Sequence, residues 1–162
     1  MIAKYGSMAA FLALVVLAAA IGASFEAGEW YFQKVNKPDW TPPPWLFGPV
    51  WSVLYLMMAV AAWKVWLTGH YNRTGAVTWW AIQLVMNVAW SWLFFGLERP
   101  GWAWLELSIL ISIVVLCIQA FRRLSKPAAY LMMPYLAWLI FAWVLNLTIW
   151  TLNGGLFSKM LL

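Results

Sequence analysis

The stretch "KPDWTPPPWLFGPVWSVLYLMMAVAAWKVWL", Lys37–Leu67, joins a proline-stiffened segment to an apolar run. Consecutive prolines at Pro42, Pro43 and Pro44 forbid helix before Trp45 and favour an extended path. From Trp45 to Leu67 the chain is then apolar for long enough to cross a bilayer core, which takes about 20 residues for ~30 Å. Four other runs have this character, so helices are expected over residues 6–25, 45–67, 75–95, 102–121 and 128–152. The prediction is an all-α membrane protein: one domain spanning residues 1–162, a bundle of five transmembrane helices with a long first loop.

Composition agrees with that reading. The 162 residues are 65% hydrophobic and 9% charged, against roughly a quarter charged in soluble domains, and the mean hydropathy is +0.79. A net charge of +5 does not point to nucleic acid, because the basic residues sit singly or in pairs at the ends of apolar runs rather than on one clustered face. Lys4, Lys64, Arg73, Arg122, Arg123 and Lys126 fall on the side of the N-terminus; Lys34, Lys37, Arg99 and Lys159 fall on the other. In a bacterial cell membrane that excess places the N-terminus in the cytoplasm and the first loop outside. An outer or organelle membrane would change those labels. Residues 6–25 are longer than the apolar core of a secretory signal, so a retained first helix is expected.

Trp30, Trp40, Trp45, Trp63, Trp66, Trp79, Trp80 and Trp102 lie at or near run ends, where indole rings settle at headgroup level. Other aromatic and polar residues form stripes at helical spacing: Trp51 and Tyr55 on the second helix; Gln83, Asn87 and Trp90 on the third; Tyr135, Trp138, Ala142 and Asn146 on the fifth. Polar groups in hydrocarbon turn to the bundle interior or to a cavity. Two readings stand. The stripes line a pocket for a flat, largely apolar ligand, or the amides bond helix to helix while the aromatics pack. Glu106, about one turn inside the fourth helix, is either an intramembrane functional acid or a side chain reaching back to the interface. Trp30, Tyr31, Trp40 and Trp45 give the first loop apolar faces with which to dock, as a lid or as a simple helix entry.

Some chemistries are ruled down. His70 is the only histidine and Cys117 the only cysteine, so no metal site or attached haem is expected. No serine has a histidine base in a triad pattern, and there is no glycine-rich phosphate loop.

Three segments carry a resemblance: "WYFQKVNKPDWTPPPWLFGPVWSVLY", "QLVMNVAWSWLFFGLERPGWAWLE" and "PYLAWLIFAWVLNLTIWTLN". They are similar to the signature regions of the tryptophan-rich sensory protein and translocator protein family, which includes the mitochondrial peripheral-type benzodiazepine receptor. The resemblance covers nearly the whole chain. It implies five membrane helices whose first loop covers a pocket for porphyrins and other haem-pathway tetrapyrroles, or for benzodiazepine-type ligands, with no cofactor required. Carried over by motif, the ligand site comprises Trp51, Tyr55, Asn87, Trp90, Trp102, Trp138, Ala142 and Asn146, with Trp30, Tyr31, Pro42 and Pro43 as the cover. The same resemblance implies two alternatives: light- and oxygen-dependent porphyrin degradation, with Trp51 and Trp138 as the catalytic pair, or transport of tetrapyrroles or lipids. It also allows a sterol ligand and a homodimer. Leu147 and Thr151 stand where the sterol pattern has a tyrosine and a basic residue, and Thr78 and Ile82 stand where some members carry a glycine pair on the third helix. Ala18, Ala19, Gly22 and Ala23 offer another surface for close helix packing.

Overall fold

The computed structural model describes residues 2–25 and 27–154, with side chains from Gly6 onward; Lys159 and the Lys4 side chain lie outside the described residues. Five α-helices follow one another: α1 Ile2–Ala23, α2 Pro44–Trp66, α3 Arg73–Ser91, α4 Pro100–Leu124 and α5 Lys126–Leu152. Among the described residues there is no strand.

Local chemistry explains the boundaries. Pro44 begins α2 and Pro100 begins α4, where a missing N–H costs nothing and a fixed φ is already helical. Extended backbone at Pro43 ends the preceding loop. Ser125 caps α5 by accepting a hydrogen bond from the Ala128 N–H. As a result α4 starts two residues before the apolar run and α5 starts two residues before Ala128. The third run is not one α-helix to Phe95: α3 ends at Ser91 and the chain widens into a π-helical turn over Trp92–Gly96. A second π-helical turn, Trp30–Lys34, interrupts the long first loop.

Four of the helices, α1, α2, α4 and α5, are long and apolar enough to cross a membrane. The protein is an integral membrane protein with a helical bundle. The helix α3 falls below that apolar threshold because it carries Arg73, Thr74, Gly75, Thr78, Gln83 and Asn87 among its 19 residues.

Packing closes the helices into a ring. The helix α1 contacts α2 and α3, α2 contacts α5, α5 contacts α4, and α4 contacts α3. One stripe of α1, Phe11, Val15 and Ala18, is buried, as expected at i, i+4 and i+7. The Phe11 ring meets Trp80 edge-on at 5.4 Å. Around the rest of the helix, Leu14, Val16, Leu17 and Ile21 are exposed, which suits a helix whose outer face meets lipid. Gly22 packs inward, with the Ser91 Oγ 3.5 Å from where a Cβ would sit, so part of the small-residue surface of α1 is used within the chain.

Trp80 departs from the interfacial placement expected for it. It is buried, and its indole N–H donates to the Met58 carbonyl at 3.1 Å. A buried indole needs such an acceptor, and the bond ties α3 to α2.

Candidate aromatic site

The ring order sets α2 against α5, so stripes distant in sequence meet. Trp51 lies 5.4 Å from Tyr55, 6.2 Å from Tyr135 and 6.5 Å from Trp138, the last pair at 85°. Phe47, one turn before Trp51, meets Trp138 edge-on at 5.9 Å, and Phe141 tilts against Trp138 at 5.4 Å. Edge-to-face rings at these separations attract through the positive edge and negative face of the π-systems. Trp51 and Trp138 are both only half-buried.

Beneath the indoles runs a directional hydrogen-bond chain. The Tyr55 hydroxyl donates to Asn87 Oδ1 at 2.8 Å, and Asn87 Nδ2 donates to the Tyr135 hydroxyl at 3.1 Å. One polar side chain therefore links α2, α3 and α5.

Trp90 and Asn146 form a separate group. The Trp90 indole donates to Asn146 Oδ1 at 3.2 Å, and Asn146 Nδ2 donates to the Pro100 carbonyl at 2.8 Å. Trp90 also stacks on Phe94 at 5.1 Å and 21°. The candidate residues on α3 thus divide between two neighbouring clusters. Ala142 is half-buried and packed against the core. Trp102 joins neither cluster; it is 50% exposed on α4.

The first loop docks across these helix ends. Trp30 meets Phe94 at 5.8 Å, and Tyr31 meets Phe94 and Phe95 at 6.1 and 5.5 Å. Lys37 lies 4.8 Å above the Tyr31 ring and donates to the carbonyls of Tyr31 and Val35. Burial pushes the Tyr31 phenol above its ordinary range. Further along, Trp40 reaches Phe141 at 6.0 Å. Asn36 and Asn153 clasp each other: the Asn36 N–H donates to Asn153 Oδ1, and Asn153 Nδ2 donates to the Asn36 carbonyl, both at 2.8 Å. Pro42 is half-buried and Pro43 exposed, so the prolines shape the path more than they cover the indoles.

Glu106 does not reach back to the interface. It is 7% exposed, and among the described residues neither carboxylate oxygen has a hydrogen-bond partner. Gln83, fully buried, leaves its Oε1 unpartnered as well.

Phe47, Phe141 and Trp40 join the cluster in addition to the ligand residues expected from the sequence. For two of them a signal exists, since Phe47 is four before Trp51 and Phe141 is three after Trp138. Trp40 lies in a loop without periodicity; the sequence marks it as an apolar docking face, and packing supplies its partner, Phe141.

Residues 10–151 match the sequence model of the TspO/MBR family. The chain belongs to the TspO/MBR family. Among its relatives in that family, the tryptophan-rich protein TspO of Chlorobaculum tepidum is 44% identical over 126 residues, 76% of this chain and 80% of the relative. The translocator protein of Ovis aries is 38% identical over 141 residues, covering 83% of each chain. The tryptophan-rich sensory protein of Cereibacter sphaeroides is 35% identical over 144 residues, 88% of this chain and 89% of that one. The TspO/MBR match spans all five helices from Ala10 into the last turn of α5.

Proposed function

We propose that all five helices span the membrane and that the protein binds a planar tetrapyrrole, or a flat aromatic ligand of similar chemistry, against Trp51 and Trp138. The observation that carries this reading is the pair of half-buried indoles in edge-to-face contact at 6.5 Å, walled by Phe47, Phe141 and Tyr135. A flat conjugated ring gains most by stacking on indole faces. The separation between the two indoles leaves no slot for a ring stacked on both, so a ligand must turn them. Trp138 touches Phe141, Phe141 touches Trp40, and the movement is passed to the first loop. Such coupling is what a sensory or translocating membrane protein requires, and it fits the names that the relatives carry.

The hydrogen bonds of Asn87 and Asn146 are already used within the bundle. In this reading they hold the walls of the site, and a ligand that reaches Asn87 exchanges the Tyr55 bond for its own. Trp102 faces outward and serves at the interface. Trp30 and Tyr31 form the docked cover, with Pro42 and Pro43 stiffening its return to α2. The wider membrane contributes lipid as a neighbour of the exposed faces, and a bacterial cell membrane is the location we favour.

Quenching of tryptophan fluorescence by protoporphyrin, in purified detergent-solubilised protein, tests the proposal. Wild type should quench saturably in the dark, and Trp138→Phe should weaken the apparent affinity about twofold to tenfold, since an aromatic pair contributes about 0.5–1.5 kcal/mol beyond its area. Equal affinity in the variant would remove Trp138 from the site. The partial exposure of Trp51 and Trp138 favours one second reading, oxidation of the bound porphyrin under light and oxygen. Conversion of the porphyrin spectrum over many turnovers, lost in Trp51→Phe, would establish it; an unchanged spectrum would leave the binder.

A further inference from the structure

The end of the bundle opposite the first loop has a charge imbalance that the aromatic site does not use. Lys64, Arg73, Arg122, Arg123 and Lys126 lie at this end. No acid joins them. Glu29, Asp39 and Glu98 belong to the loops of the opposite end, Glu106 lies in the half of α4 nearest that end, and Glu26 falls in the first loop by sequence. Arg73 is satisfied internally, donating to the Trp66 carbonyl at 3.1 Å with its guanidinium 4.3 Å over the Trp66 ring. Among the described residues, the side chains of Arg122, Arg123 and Lys126 make no hydrogen bond and no ion pair.

The uncompensated charges border open space. A cavity of about 350 Å³ lies between the first turns of α3 and the last turns of α4, lined by His70, Asn72, Trp79 and Arg123 among others. A second, shallow and open to the surface, is lined by Gln119, Arg122, Arg123 and Lys126. Arg123 belongs to both. The aromatic residues around them mark the depth: Trp79 is partly exposed, and Tyr71 and Tyr130 are 84% and 72% exposed. Amphipathic rings gather at headgroup level. From there toward the middle of the bundle, α3 exposes Ile82 and Val85 and α4 exposes Leu116. A polar cationic hollow at headgroup depth, continued by bare apolar side chains, has the two-part chemistry of an amphiphile.

We infer that this end of the protein binds an anionic phospholipid, its phosphate received by Arg123 with Arg122 and Lys126, and its acyl chains laid along the exposed faces of α3 and α4. Guanidinium groups suit phosphate because they donate paired hydrogen bonds in a fixed fork. Basic hollows between membrane helices are suited to acidic headgroups, at about 1 kcal/mol for each Lys or Arg near the surface. Free phosphate would satisfy the charges but leave the apolar continuation unused. The inference is independent of the tetrapyrrole reading, since none of these residues touches the indole site.

Thermal melting of the full-length protein in detergent, titrated with phosphatidylglycerol, reads the site directly. Phosphatidylglycerol should raise the midpoint saturably, while phosphatidylcholine of the same chains and inorganic phosphate at the same concentration should not. The double variant Arg122→Gln with Arg123→Gln should weaken the apparent affinity about tenfold or more, from two charges at roughly 1 kcal/mol each. Lys126→Gln alone, a single exposed change, should weaken it about fivefold, and Arg99→Gln at the opposite end should leave it unaltered. The inference is overturned if phosphatidylcholine stabilises equally, if the variants bind as wild type does, or if inorganic phosphate matches the lipid.

Discussion

Glu106 and Gln83 pose the sharpest problem at the scale of single residues. A buried acceptor without a donor costs about 1–3 kcal/mol, and more when it is charged. Three such acceptor atoms, Gln83 Oε1 and both oxygens of Glu106, stand in the interior of one bundle. Replacing Glu106 by methionine keeps much of the length and removes the cost, so Glu106→Met should raise the melting temperature in detergent. A fall would show that the carboxyl holds a partner in the working protein. Gly101 makes a complementary case. A Cβ there would stand 2.9 Å from Trp150 Cε2, and Trp150 is buried and tilted against Trp104 at 5.9 Å. Gly101→Ala should therefore destabilise by about 1–3 kcal/mol, the usual cost of overpacking, measured against Gly75→Ala, where nothing lies within 4 Å.

Among the elements, the first loop is fastened to the bundle at two places. Its two anchors differ in kind: the apolar one is Trp30 and Tyr31 on Phe94 and Phe95, and the polar one is the Asn36–Asn153 clasp. Truncating Asn153 loses the two bonds of the clasp and the bond from its Nδ2 to the Ile149 carbonyl at 2.7 Å, about 1 kcal/mol each. Asn153→Ala should speed amide hydrogen exchange across residues 27–43 and leave exchange in α4 unchanged. If the loop exchanges as slowly as in wild type, the aromatic anchor alone holds it. The π-helical turn Trp92–Gly96 acts at the same scale. By widening the chain after α3 it places Phe94 inward, under the loop, which a continuous α-helix to Phe95 would not have required.

For the whole molecule the question is how many helices cross the bilayer. Four are apolar enough by composition, and α3 must be judged by its neighbours. Its polar residues Gln83 and Asn87 are buried while Ile82 and Val85 are exposed, the inverted arrangement expected of a helix in lipid. The one cysteine, Cys117, is buried, so single introduced cysteines can report topology. Tyr71→Cys and Leu97→Cys flank α3 and replace exposed side chains. A membrane-impermeant maleimide should reach them from opposite faces of sealed vesicles; labelling from the same face would take α3 out of the membrane.

Much of this organisation could be read from the residues alone, and the reasons are local. Helical spans follow from apolar length, although α2 and α4 begin at Pro44 and Pro100 rather than at residues 45 and 102, and the stripes of Trp51 with Tyr55 and of Tyr135 with Trp138 follow from a period of 3.6. The family followed from motifs in their order. Other features depend on which helix faces which. The ring order brings α2 beside α5, and only that contact joins Trp51 to Trp138 and divides Asn87 from Trp90. It also draws Trp80 from the expected interface into the core, turns Trp102 outward, and leaves Glu106 without a partner. Periodicity specifies a face of a helix, but a pocket is made from faces that meet, and their meeting is fixed by packing between segments far apart in the chain.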